Sequence, residues 1–135
     1  GPVSPILVGG YVPGVYCFYT LGMTASTTLT LNDNSVAHPQ WVFVATTTFI
    51  TGANAKVLIN GGDARNVYWI VGTSATIGLG TQMQGTILAA AAITLGTGSS
   101  LIGHALAGTA ITCASNCHVS TTLPAPTGMY HMSSV

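Results

Sequence analysis

The chain has 135 residues, 48% of them hydrophobic and 3% charged, a balance that fits one compact domain and excludes a disordered segment. Its four charged side chains, Asp33, Lys56, Asp63 and Arg65, cannot build the basic patch on which nucleic-acid binders depend, so nucleic acid is discarded as a partner. The most apolar run, Thr86–Leu95, is too short to cross a bilayer as a helix, and no membrane insertion is expected.

In chain order, residues 1–10 read as an extended arm, with Val3, Ile6, Leu7 and Val8 set between prolines and glycines. The chain opens on Gly1-Pro2 without an initiator Met or a signal peptide, which fits a processed secreted protein or a start left by protease cleavage. Residues 11–120 read as one all-β domain. Within it the stretch Trp41–Asn54, WVFVATTTFITGAN, is one coil, and Lys56–Asn66 is a longer excursion before the next. From Tyr68 the sequence repeats every eighteen residues: YWIVGTSATIGLGTQMQG, then TILAAAAITLGTGSSLIG, then HALAGTAITCASNCHVS. Gly78 falls on Gly96, Gly80 on Gly98 and Gly85 on Gly103, which marks the corners of a coil. A fixed period near twenty residues is the signature of a solenoid, and the fold class is therefore a β-solenoid with coils of about 18 residues. Residues 121–135, carrying Pro124 and Pro126, read as an extended tail.

Inside each coil the strands alternate. Ala75-Thr76-Ile77, Ile93-Thr94-Leu95 and Ile111-Thr112-Cys113 put apolar residues on one side and Thr on the other. Stacked in register, Thr76, Thr94 and Thr112 form an outward column flanked by Ser74, Ala92 and Ala110, a face of short side chains. The ladders Ala75–Ile93–Ile111 and Ile77–Leu95–Cys113 fill the interior with Trp69, Val71, Ile87 and Ala89. Alanine propensity alone would allow a helix over Ile87–Ile93, but the β-branched and glycine-rich surroundings outweigh it. Twenty Thr and ten Ser supply polarity without charge. Of three cysteines, Cys113 and Cys117 are the nearest pair and the candidate disulfide; the competing reading makes all three small buried apolar residues. Catalysis has little to work with. Asp33 and Asp63 fall in different loops, the histidines have no metal-ligand spacing, and no cofactor is expected.

The runs Gly14-Val15-Tyr16, Leu58-Ile59-Asn60-Gly61, Asn66-Val67-Tyr68-Trp69, Gly72-Thr73-Ser74-Ala75-Thr76-Ile77-Gly78 and Gly85-Thr86-Ile87-Leu88-Ala89 together resemble the ice-binding-protein family of bacterial, fungal and algal β-solenoids. The resemblance extends from about Gly10 to Val119. It implies a right-handed, roughly triangular β-helix, secreted or surface-attached, without cofactor or catalysis. The run Thr51-Gly52-Ala53-Asn54 is similar to a short ice-face motif of the family and adds Thr51 and Asn54 to the candidate face. Family members usually begin with a longer amino-terminal half that supplies further coils, a cap and a long helix, and this sequence does not contain it. A shortened solenoid presents open strand edges and apolar core at its ends. The arm residues Val3, Ile6, Leu7 and Val8 are therefore candidate subunit contacts that add a strand to a neighbouring copy, and the tail is a second such segment. Head-to-tail pairing of this kind does not close. The leading expectation is an extracellular, non-enzymatic filament or matrix subunit, a homopolymer of this chain. The rival expectation is ice binding through the flat Thr-rich face.

Overall fold

The computed structural model describes residues 9–120 and 130–132. Strand follows strand around a prism. The first coil contains β1 (Gly9–Tyr11), β2 (Gly14–Phe18) and β3 (Leu21–Met23), the second β4 (Thr28–Asn32), β5 (Trp41–Ala45) and β6 (Phe49–Thr51), and the third β7 (Lys56–Asn60), β8 (Val67–Val71) and β9 (Ala75–Ile77). Two tighter coils follow, β10 (Gln82–Ala89) with β11 (Ala92–Leu95) and β12 (Ser100–Ala107) with β13 (Ala110–Cys113); β14 (His118–Ser120) and β15 (Tyr130–Met132) complete the described chain. All pairings are parallel except that of β15. This is a right-handed β-solenoid with three sides. The first side holds β1, β4, β7, β14 and the leading halves of β10 and β12, and the second holds β2, β5, β8 and their trailing halves. The third side is a separate five-stranded sheet in the order β13-β11-β9-β6-β3.

The eighteen-residue step is the true register of the last coils, as Thr76 sits beside Thr94 and Thr94 beside Thr112. Earlier coils are longer because residues are inserted at one corner only, between the first and second sides: 33–40 after β4 and 61–66 after β7. The expected excursion over Lys56–Asn66 is thereby corrected. Lys56–Asn60 is itself a strand, paired from Thr28↔Lys56 to Asn32↔Asn60, and only Gly61–Asn66 leaves the coil, ending in a 3-10 turn at Ala64–Asn66. In the later coils no insertion occurs and β10 and β12 run straight through the corner. Gly85 makes this feasible: its φ is +116°, and a Cβ there would lie 2.7 Å from the carbonyl oxygen of Val67 in the coil below.

The core follows from alternation. The inward column Tyr16–Phe43–Trp69–Ile87–Ala105 runs the length of the second side. Its rings stack, Tyr16 on Phe43 at 5.4 Å and Phe43 on Trp69 at 4.5 Å between centroids, and Phe49 from the third side closes on Trp69 at 5.0 Å. Both buried indole N–H groups donate to backbone carbonyls, Trp41 to Tyr11 and Trp69 to Gln84. Ala75, Ile77, Ile93 and Leu95 are buried as expected, whereas Ile111 is only partly covered and Cys113 is exposed instead of filling the interior, because both belong to the outermost coil.

The ends meet expectation in part: among the described residues β1, β2, β3 and β13 lie at free sheet edges and Cys113 of the last coil is exposed, but the core of the first coil is covered. In the first coil Phe18, Leu21 and Met23 are buried within the single chain, so the apolar core there is not left open. In the tail, Tyr130–Met132 pairs antiparallel with Ala105–Ala107 of β12. That part of the tail turns back on its own chain instead of reaching a neighbour, because β12 offers a free edge close by. Val3, Ile6, Leu7 and Val8 lie outside the described residues. No helix among the described residues is long and apolar enough to cross a membrane.

Candidate functional site

The third side carries the site. Its outward positions form the column Gly22, Ile50, Thr76, Thr94, Thr112, fixed residue by residue through the ladder pairs. Thr76, Thr94 and Thr112 are exposed, one hydroxyl and one methyl per strand at the strand spacing of about 4.8 Å. Ala92 and Ala110 pair in the same ladder, and Ser74 precedes β9 at the equivalent place. These six expected residues are brought together.

The other two are not. Thr51 is 3% exposed and points inward. Phe49, Ile50 and Thr51 follow strict alternation, so the parity that puts Ile50 outside forces Thr51 inside. There its hydroxyl accepts from the Gly78 N–H at 2.8 Å and meets the Thr81 hydroxyl at 3.2 Å, and Thr81 donates to the Gly52 carbonyl at 2.9 Å. Asn54 is exposed but sits on the corner after β6, in the left-handed conformation at φ 60°. Its column, Ser26, Asn54, Gly80, Gly98 and Asn116, has positive φ in every coil. Asn tolerates that conformation better than most residues, which explains it at a turn and removes it from the face.

A second threonine column escaped the sequence reading. Thr47, Thr73, Ala91 and Thr109 stack at the corner where the second side meets the third: Thr73 N–H donates to Thr47, Ala91 to Thr73 and Thr109 to Ala91, at 2.8–2.9 Å between backbone atoms. The hydroxyls of Thr47 and Thr73 also donate to the coil below, to the carbonyls of Tyr19 and Thr47, both at 2.8 Å. The signal in the sequence was the spacing Thr73-x-x-Thr76 and Thr109-x-x-Thr112. It was missed because residues three apart do not share a face on an unbroken strand; a corner between them restores the alignment.

Cys113 and Cys117 approach sulfur to sulfur across the last corner of the third side with Cα atoms 6.0 Å apart, inside the span of a disulfide. The Asp63–Arg65 pair is local. Arg65 Nη2 donates to Asp63 at 2.7 Å and Arg65 N–H at 2.8 Å, and these hydrogen bonds, the side-chain one foremost, hold the Asp63 carboxyl below its ordinary range. Both residues lie in the 61–66 loop, at the corner between the first and second sides and not on the third side. Among the described residues, no group of three or more His, Cys, Asp or Glu side chains converges as a metal site.

The sequence model of the family described as ice-binding-like matches residues 6–118. The chain belongs to this family. Among relatives in the ice-binding-like family, an ice-binding protein of Nostoc sp. (strain HG1) is 40% identical over 81 residues, covering 60% of this chain and 30% of that protein. Ice-binding protein K3-B1 of Typhula ishikariensis is 34% identical over 83 residues, covering 61% and 33%. The crystal structure of an ice-binding protein from the Antarctic ascomycete Antarctomyces psychrotrophicus superposes with a TM-score of 0.78 at 39% identity, over 85% of this chain and 57% of that one. A structure addressing the antifreeze activity of an ice-binding protein from an Arctic yeast gives 0.78 at 30% identity, over 90% and 53%. The chain thus spans about a third of the sequence relatives and little more than half of these two structures. The relatives are named for ice binding and not for catalysis. They favour the ice-binding expectation over the filament expectation.

Proposed function

We propose that this chain is a non-enzymatic, extracellular ice-binding protein that adsorbs to ice through the outer side of its five-stranded sheet. The observation behind this reading is the in-register column Thr76–Thr94–Thr112 with Ser74, Ala92 and Ala110 beside it. A β-branched side chain is stiff at χ1, so each threonine holds its hydroxyl and methyl in a fixed place, and parallel ladders repeat that place from coil to coil. Little conformational entropy is then lost when such an array makes contact. Thr also suits any exposed strand, so the contrast with the other two sides carries weight. The first side presents Lys56, Gln82, Leu58 and Ile102 outward, and the second presents Val15, Val44 and Ile70; neither repeats one short polar residue. A Cys113–Cys117 disulfide closing the last coil suits an oxidising, extracellular setting. Self-assembly into a filament has no comparable observation behind it, and Tyr130–Met132 is already engaged with its own chain.

The test is a pair of bulky substitutions on different sides. Thr94→Tyr, at the centre of the column, is expected to abolish inhibition of ice recrystallisation while leaving the melting temperature near that of the parent. Gln82→Tyr on the first side is expected to leave inhibition intact. The opposite pattern would move the contact surface to the first side.

A further inference from the structure

The outward column of the third side is uniform over three coils and then changes abruptly. Thr112, Thr94 and Thr76 are followed by Ile50 and then by Gly22, which is buried and has no side chain. Ile50 is 53% exposed. It has the β-branch of threonine but replaces the hydroxyl with carbon and extends one carbon further outward, so it both lacks the polar group of the column and rises above its level. One coil further, Tyr19 stands 66% exposed.

We propose that Ile50 is the boundary of the ice-contacting array, confining contact to the three carboxy-terminal coils, and that its identity limits how strongly this chain holds ice. This rests on the proposed use of the third side. An apolar residue this exposed on a sheet face invites a different account, that it is itself a contact. The geometry speaks against that, since a flat lattice seated on the three threonine rows meets at Ile50 a taller side chain with no hydroxyl and has to end there. Replacing Ile50 with Thr keeps the β-branch that the strand favours and adds a fourth hydroxyl in ladder register with Thr76.

Three variants of the full chain decide the matter, each checked by thermal unfolding and then titrated for inhibition of ice recrystallisation. Ile50→Thr is expected to lower the inhibiting concentration by about twofold or more, because a further linked contact raises avidity. Ile50→Ala is expected to match or exceed the parent, since it removes the raised side chain without removing a hydroxyl from the column. Thr94→Tyr is the control and is expected to abolish inhibition. Loss of activity in Ile50→Ala would overturn the boundary by making Ile50 a contact, and a folded Ile50→Thr no better than the parent would overturn it as well. A silent Thr94→Tyr sinks the use of the third side itself, a failure distinct from a damaging Thr94→Tyr accompanied by an unmoved Ile50→Thr.

Discussion

Thr51 and Thr94 have the same side chain and opposite fates. Thr94 stands at an outward position of β11 and leaves its hydroxyl on the surface, while Thr51 ends β6 at an inward position and spends its hydroxyl on the Gly78 N–H and the Thr81 hydroxyl. Burying a hydroxyl is tolerated only with such partners. Thr51→Val, which keeps the shape and removes the hydroxyl, strands the Gly78 N–H and is expected to cost about 1–3 kcal/mol of stability. Denaturant unfolding measures that cost, and recrystallisation inhibition should be unchanged, because the residue does not reach the surface. A loss of inhibition with unaltered stability would return Thr51 to the face.

At the scale of elements, the corner between the first and second sides is where this solenoid varies. It is an eight-residue loop after β4, a shorter loop with a 3-10 turn after β7, and a glycine inside a continuous strand in β10 and β12. The 3-10 turn is held by Asp63, which accepts the Arg65 N–H and pairs with its guanidinium. Because the folded state lowers the Asp63 pKa, its contribution to stability is present above the unfolded value and is lost as pH falls through the folded one. Asp63→Asn is therefore expected to melt slightly below the parent at neutral pH. The gap should close as the pH falls through the lowered carboxyl value, as a series of melting curves would record. The effect is small because the pair is exposed and screened by solvent.

For the molecule as a whole, the scarcity of charge becomes a functional expectation. No carboxylate, amine or imidazole lies in the outward columns of the third side. Adsorption through it should then be insensitive to pH between about 5 and 9, where an imidazole would change its charge, and to salt between about 10 and 150 mM, where a charged contact would weaken. Titrating recrystallisation inhibition across both ranges checks this. A steep salt dependence would point to contact through the first side, where Lys56 stands outward beside Gln82.

Much of this was legible in the chain itself. Alternation in Ala75–Ile77, Ile93–Leu95 and Ile111–Cys113 determined which residues face in, because side chains on a strand have a period of two whatever surrounds them. The eighteen-residue period determined which of them stack, and the column Thr76–Thr94–Thr112 followed from both. Where the corner carries inserted residues, the sequence period fails while the ladder resumes beyond it, so only the tertiary structure decided that Lys56–Asn60 is a strand and that Ile50 stands in register with Thr76. The corner threonines, the inward turn of Thr51 and the return of Tyr130–Met132 onto β12 were decided there too. Each depends on which strand edge or carbonyl lies alongside in space, and hydrogen bonds between coils join residues that the sequence holds well apart.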